Sequence, residues 1–401
     1  WRQENMIYDN CEKYIKEVAM EEIATCDLRN KKIIVNGFDV LSKTFIYFFL
    51  REGIQNIEIF DDRRIGEIWC GLKIRSEKEI GAYIADAGEQ YILITPLRDY
   101  QQRVDSLLNI DAGLKNDIHV FNNITMNTMP NNLVLPEGAR EISLREAQLL
   151  QLKILKWFHE FCEEHNLRYY LHFGTLIGAV RHKGFIPWDE DIDITMPAPD
   201  YIKFGKLFPK ECEFFWNSVF NEQLEDLPIS TLSKIENEDI FTEYRFFPMR
   251  AWTGMGIDIF PLCGYPKETK EQVTFRQEFM YWENVWSEQV VLPYGTDRYS
   301  LKTHKKLFEK MNEMLMRYDY DTSENIGIGY FGRFYPQPRD GSVVMPKKWY
   351  EQSVLMEFEG EKYRIPIGYD EVLKKWYGNY MQLPPVEDRV SKGYSPIYSH
   401  H

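Results

Sequence analysis

The feature that most restricts this chain is the alternation Asp191-Ile192-Asp193-Ile194, which closes a stretch, Tyr170 to Ile194, reading YLHFGTLIGAVRHKGFIPWDEDIDI. Residues two apart in an extended strand point the same way, so Asp191 and Asp193 share one face while Ile192 and Ile194 anchor the other in a core. Two ionised carboxylates this close repel, and a divalent cation is the usual means of keeping both charged at neutral pH. An all-oxygen ligand set favours Mg2+ or Mn2+ over zinc. An acidic run such as Asp189-Glu190-Asp191 is, by itself, ordinarily a solvated turn. The alternation with isoleucine argues for the strand instead.

Upstream, a strand is predicted at Arg168 to Phe173, followed by the turn Gly174-Thr175 and a short helix through Val180. The first backbone N–H groups of that helix and the Thr175 hydroxyl are suited to phosphate oxygens. Arg181, His182 and Lys183 can bind phosphate or simply sit on the surface at the helix end, where cations favour the macrodipole. His172 reads as a packed or hydrogen-bonded histidine. A third acid, Asp258, lies in the short apolar strand pattern Gly256-Ile257-Asp258-Ile259-Phe260. On an adjacent strand it completes a metal site or takes an acceptor's proton. Together these residues predict metal-dependent phosphoryl transfer.

The 401 residues are too many for one ordinary core, and two units are expected. The first, residues 1–130, alternates strands at Lys32 to Val35, Ile57 to Phe60 and Tyr91 to Thr95 with a helix from Val40 to Glu52 capped at Gly53. This is a Rossmann-like α/β pattern. Its first turn, Asn36-Gly37-Phe38-Asp39-Val40-Leu41-Ser42, carries one of the three glycines that a dinucleotide fingerprint requires, although Asp61 and Asp62 end the second strand where a ribose-binding acid belongs. The unit is therefore expected to position an acceptor or a partner rather than to use NAD(P).

Asn122 to Arg140 reads as a linker. The second unit, residues 140–401, is read as an α+β nucleotidyltransferase-like catalytic domain. It opens on a helix with a capping box at Ser143 and Glu146 whose buried side is marked by Leu144, Leu150, Leu152, Leu155, Phe158 and Phe161. Later helices are expected at Lys270 to Val290 and Leu301 to Arg317.

A formal charge of -14 opposes a nucleic-acid groove. The six cysteines form no CxxC pair, which argues against a zinc site or a disulfide framework. The apolar runs are too short to span a bilayer and no signal-peptide pattern opens the chain, so the expected location is the cytoplasm, with peripheral contact at the inner membrane surface.

GTLIGAVRHKGFIPWDEDIDI resembles the signature of the LicD family, whose members transfer phosphocholine or related phospho-alditol groups from CDP-linked donors to cell-surface glycans. The resemblance runs from about Arg140 onward, through GIDIFPL at Gly256 to Leu262 and IPIGYDEVLKKWYGNYMQLPP at Ile365 to Pro385. The fukutin-related enzymes, similar to this group, use CDP-ribitol. The resemblance implies that Asp191 and Asp193 are the family's metal-binding DxD, Gly174-Thr175 its glycine turn and Asp258 its later acid. Phe173 stands where the family often has another glycine, and Glu190 replaces the middle acid of a DDD run.

The implied donor is most simply CDP-choline and the acceptor a glycan hydroxyl, lipid-linked or in a teichoic acid precursor. Choline would suit an aromatic cage, since each well-placed ring face contributes roughly 0.5 to 2 kcal/mol to a quaternary ammonium. Trp188, Tyr330, Phe331 and Tyr335 are the candidate walls. The rivals are an NTP-using nucleotidyltransferase that activates a phospho-compound and a non-catalytic glycan-binding protein.

Overall fold

The structure, a computed structural model, describes residues 16–38, 40–86, 88–95, 100–121, 135–218, 220–221, 231–246, 249–286, 305–330, 343–391 and 396–400. The chain divides into two compact units, Trp1–Val134 with Tyr244–Ala251, and Leu135–Glu243 with Trp252–His401.

In the amino-terminal unit, helix α1 (16–25) is followed by β1 (Lys32–Asn36), α2 (Val40–Arg51), β2 (Ile57–Phe60), β3 (Ile68–Trp69) and β4 (Leu72–Arg75). Then come α3 (Ile80–Ala85), β5 (Gln90–Ile94), α4 (Tyr100–Ile110) and β6 (Ile118–Val120). The sheet order is β3-β4-β2-β1-β5-β6, with β4, β2, β1, β5 and β6 mutually parallel and β3 antiparallel to β4. The alternation of a two-residue period divides its side chains cleanly. Ile33, Val35, Ile57, Ile59 and Leu93 pack with Phe45 and Phe49 of α2 in one core. Ile34, Phe60, Ile92 and Ile94 pack with Ile80 and Leu107 of α3 and α4 in another. Both faces are thus covered, which explains why these strands read as nearly continuous apolar runs. Gly53 has φ +82, the left-handed conformation that ends α2.

The second unit runs β7 (Arg140–Ile142), α5 (Leu144–Glu164), β8 (Tyr170–Leu171), α6 (Phe173–Ile177), β9 (Ile192–Pro197), α7 (Ala198–Leu207) and β10 (Phe215–Asn217). It continues through β11 (Ser233–Phe246), β12 (Met249–Tyr265), α8 (Thr269–Trp286), α9 (Lys305–Met316), β13 (Asn325–Ile328) and β14 (Val344–Pro346). The closing elements are β15 (Ser353–Phe358), β16 (Glu361–Pro366), α10 (Tyr369–Tyr377) and β17 (Ile397–Ser399). The main sheet follows β14-β13-β12-β11-β17-β7, with β10 on β11, β9 on β12 and β8 on β9. The parallel pairing of β9 with β12 is the join on which the site depends.

Helix α5 begins as its sequence predicts. Ser143 accepts from the Glu146 amide at 3.2 Å while Glu146 accepts from the Ser143 amide at 2.9 Å. A reciprocal cap of this kind is worth about 1 kcal/mol. The helix buries Leu155, Phe158 and Phe161, but also Gln148 and Gln151, while Leu144, Leu150 and Leu152 are only partly covered.

The strand expected over Arg168 to Phe173 is confined to Tyr170–Leu171, because α6 already starts at Phe173. Gly174 and Thr175 therefore lie inside the helix rather than ahead of it. Helix α8 matches the expected start, and the described part of the next helix begins at Lys305. Among the described residues no helix is long and apolar enough to cross a membrane. The described cysteines are free thiols, with Cys162 and Cys263 buried and Cys70 exposed.

Candidate active site

Strand register brings the acids together. In the parallel β9–β12 pair Asp193 lies directly opposite Asp258, with Ile192 opposite Ile257 and Ile194 opposite Ile259. The isoleucines are wholly buried and hold both strands in the main core. Asp191 immediately precedes β9, and ligand oxygens of Asp191, Asp193 and Asp258 all lie within 4.8 Å of one another. Asp193 and Asp258 are 6% and 1% exposed, so their charges meet in a place where water cannot screen them.

The protonation of Asp191, Asp193 and the neighbouring Asp189 records that crowding. Burial, then the charges of Asp189 and Asp258, push Asp191 up to about 8, with Lys234 opposing. Burial and the charges of Asp191, Asp258 and Asp189 raise Asp193 well above the usual carboxylate range. Burial and Glu190 take Asp189 to about 6. Lys234, on β11, reaches an acid of the trio, with Nζ 2.9 Å from Asp258 Oδ1. Asp193 Oδ1 is buried with no hydrogen-bond partner among the described residues. Three oxygen ligands, one of them an orphaned buried oxygen, fit a hard divalent cation.

The surrounding groups fix these acids in place. The Thr175 hydroxyl accepts from the Asp193 amide at 2.8 Å, and the His172 amide donates to the Asp193 carbonyl at 2.9 Å. The loop before Asp191 is pinned by α5: Gln148 donates to the Asp189 carbonyl at 2.8 Å and Gln151 to the Glu190 carbonyl at 2.7 Å. Gly174 lies against the Asp189 carboxylate, so closely that a Cβ would collide with Oδ2. Phe173 has φ +40, a conformation natural to the glycine expected there, and its ring packs on Phe260 and Trp376 at 5.3 and 5.1 Å. His172 is buried, with Nε2 2.8 Å from the Tyr350 hydroxyl, and burial lowers its pKa to about 3, so it stays neutral.

The other residues singled out from sequence are placed more diversely. Arg181, His182 and Lys183 follow α6 through a π-helical turn, Gly178–His182. Arg181 Nη1 donates to the Tyr380 carbonyl and Nε to His182 Nδ1. The Lys183 side chain is exposed, reaching 3.9 Å from Met356 Sδ. Trp188 is half-buried, with the Arg389 guanidinium 5.9 Å above its ring and the His182 ring edge-on at 6.2 Å.

Tyr330 corrects an expectation. It is wholly buried, donates to the Met311 carbonyl at 3.1 Å and packs against Phe279, so it belongs to the core and not to a ligand cage. Phe331 and Tyr335 lie outside the described residues.

Sequence reasoning passed over Lys234, the two glutamines and Tyr377. The polar Gln148 and Gln151 on the apolar side of an otherwise regular amphipathic helix were a legible signal. Tyr377 ends α10 and is 44% exposed as a residue. Packing around its hydroxyl, then the charges of Asp193, Asp189 and Asp191, raise its pKa, which places the phenol within their field.

Three acids brought together where β9 pairs with β12, beside the short helix α6, form a group able to hold a metal ion, an arrangement suited to phosphotransfer. Residues 166–298 match the family described as LicD/FKTN/FKRP, nucleotidyltransferase domain. The chain is similar to the lipopolysaccharide cholinephosphotransferase LicD of Haemophilus influenzae, 31% identical over 265 residues that cover 62% of this chain and 96% of the relative. It is also similar to an uncharacterized protein of Rickettsia typhi, 34% identical over 88 residues, 19% of this chain and 28% of that one. The chain belongs to the LicD family and is a phosphotransferase of the LicD type.

Proposed function

We propose that the protein transfers phosphocholine from CDP-choline to a hydroxyl of a cell-surface glycan or its lipid-linked precursor, using Mg2+ or Mn2+ held by Asp191, Asp193 and Asp258. The observation that carries this reading is the β9–β12 register, which sets Asp258 opposite Asp193 with Asp191 alongside. The activity named for the Haemophilus relative supplies the phosphocholine. A bound divalent cation would neutralise charge on the donor's pyrophosphate and on departing CMP.

The chain's own residues do the rest. Asp258, 1% exposed and ion-paired to Lys234, suits a ligand better than a base, because an acceptor hydroxyl cannot reach it. The side-chain-free backbone at Gly174, closed against Asp189, faces the phosphate oxygens, and Arg181, His182 and Lys183 supply positive and polar groups at the far end of the same turn. The Thr175 hydroxyl contributes by holding the Asp193 amide. The rings of Tyr377 and Trp188 flank the small alcohol. The acceptor oxygen attacks the phosphorus bearing choline, the bond to CMP breaks, and the acceptor's proton passes to solvent or a site carboxylate.

For the amino-terminal unit we propose a Rossmann-like doubly wound fold, on the sheet order and its two covered faces. Asp61 accepts from the Phe38 amide at 2.8 Å and from Arg63 Nε at 2.8 Å, so the acid at the dinucleotide position is already engaged. This supports acceptor or partner positioning rather than NAD(P) use, and we place the enzyme in the cytoplasm at the inner membrane surface.

The deciding experiment incubates the protein and Mg2+ either with CDP-choline, CDP-glycerol or CDP-ribitol and an acceptor glycan, or with CTP and a phospho-alcohol, and follows CMP and pyrophosphate. CMP release coupled to labelled glycan supports transfer. Pyrophosphate release from CTP and a phospho-alcohol would replace it with the activating nucleotidyltransferase.

The carboxylate trio also predicts a pH-dependent response to metal. Without cation, Asp191 holds its proton to about pH 8 in the folded chain and releases it near 3.8 when unfolded. The folded state binds more protons across that window, so this contribution to stability falls as pH rises through it. A cation reverses the penalty by favouring the ionised forms. The rise in Tm on adding Mg2+ to chelator-treated protein is therefore expected to be larger at pH 8 than at pH 5.5. A pH-independent rise would place the ion on other ligands.

A further inference from the structure

The amino-terminal unit contains a second group of metal-ligating side chains that phosphotransfer does not use. Glu22 on α1 and Cys26, the first residue past the end of that helix, meet His119 on β6, and one ligand atom from each lies within 4.8 Å of the other two. Glu22 Oε2 is the centre of the group. His119 Nδ1 is 3.1 Å from it and Cys26 Sγ 3.5 Å from it. The Tyr91 hydroxyl donates to the same oxygen at 2.7 Å. Tyr91 also stacks on the His119 ring, with centroids 4.2 Å apart and planes at 24°. The imidazole and the carboxylate are thus both oriented by one buried tyrosine.

We propose that Glu22, Cys26 and His119 form a Zn2+ site that clamps α1 to the edge of the parallel sheet. The geometry is quantitative. Tetrahedral zinc, with bonds of about 2.0–2.2 Å to oxygen, about 2.0–2.1 Å to nitrogen and about 2.3 Å to sulfur, separates an oxygen and a nitrogen ligand by about 3.3–3.4 Å and an oxygen and a sulfur ligand by about 3.5–3.6 Å. The observed 3.1 and 3.5 Å require movements of a few tenths of an ångström. The donor set of thiolate, imidazole and carboxylate selects zinc, in contrast to the all-oxygen trio around Asp193.

Tyr91 supplies the outer hydrogen bond that metal-ligating groups require. All three ligands are half-buried, which leaves the fourth position open to water. Cysteine spacing alone gave no hint of the site, because its histidine is supplied from β6, far along the chain.

The test uses the full chain carrying Asp191→Asn, which disables the carboxylate trio, freed of metal and titrated with Co2+ and then Zn2+. One Co2+ per chain is expected, with tetrahedral visible bands and a near-ultraviolet thiolate charge-transfer band, displaced by one Zn2+. Cys26→Ser should abolish the thiolate band, and His119→Gln should weaken zinc binding at least tenfold. Tyr91→Phe, which removes only the outer hydrogen bond, should weaken it about 10- to 100-fold. Cys70→Ser, at an exposed thiol, should change nothing.

Circular dichroism of the metal-free variants separates lost binding from lost fold, and Cys26→Ser, nearly isosteric, decides alone if His119→Gln does not fold. Absence of a thiolate band in the parent, or its persistence in Cys26→Ser, overturns the proposal. Because the readout is metal binding in the amino-terminal unit, its failure is independent of any failure of phosphocholine transfer.

Discussion

Asp193→Asn is expected to lower transfer by at least about a thousandfold, or about 4 kcal/mol of transition-state stabilisation, and to abolish Mg2+ binding while leaving the metal-free fold at least as stable as the parent. The two effects have one cause. Asp193 is buried against Asp191 and Asp258, its Oδ1 has no hydrogen-bond partner among the described residues, and burial with the neighbouring charges disfavours its ionised form. Asparagine keeps the shape, removes the repulsion and removes the ligand. Asp191→Asn should behave alike. Turnover and calorimetric Mg2+ titration, paired with thermal melts in chelator, check all three expectations. Near-parental turnover with Mg2+ would disprove the metal assignment, and a drop in metal-free Tm of more than a few degrees would show that the carboxylate has a structural task instead.

Gly174→Val should impair donor binding by about 1–3 kcal/mol, roughly 5- to 150-fold in Kd, with a smaller loss of Mg2+ affinity. A Cβ at this position collides with the Asp189 carboxylate, and the two γ-methyl groups of valine add bulk where phosphate is expected to approach. Asp189 must swing away, which rearranges the loop pinned by Gln148 and Gln151. Gly174→Ala should show an intermediate loss. Binding of CDP-choline to each folded variant, measured with Mg2+ present, is the check, and unchanged affinity in Gly174→Val would move the phosphate site elsewhere.

Much of this architecture is legible in the sequence because its signals are local. Val40 to Glu52 shows helical periodicity ending at Gly53, close to the observed Val40–Arg51, and Ser143 and Glu146 announce α5 through a cap completed within four residues. Asp258 could be assigned to a neighbouring strand because its isoleucine flanks repeat the pattern around Asp193.

What escaped depends on distant partners. The 14- and 17-residue strands β11 and β12 carry polar residues on both faces, so their length gave no clean period. Lys234 matters only because β11 lies beside β12. Tyr330 looked as available as any tyrosine, and only the packing of α8 and α9 around it shows it to be core. At Phe173 a bulky residue occupies left-handed backbone, held there by Phe260 and Trp376, so α6 starts earlier than its composition suggests.

The parallel pairing of β9 with β12 also dictates when the proposed metal site can exist. Asp258 lies 65 positions after Asp193 (258 − 193), so a ribosome adding about 5–20 residues per second supplies it several seconds later. Throughout that interval the nascent chain carries Asp191 and Asp193 without their third acid or the strand that buries them. Sheet closure waits longer still, because β17 pairs with both β11 and β7 and so joins the beginning of the second unit to its last strand. On the proposed site, the nascent chain is expected to stay chemically silent until these strands close.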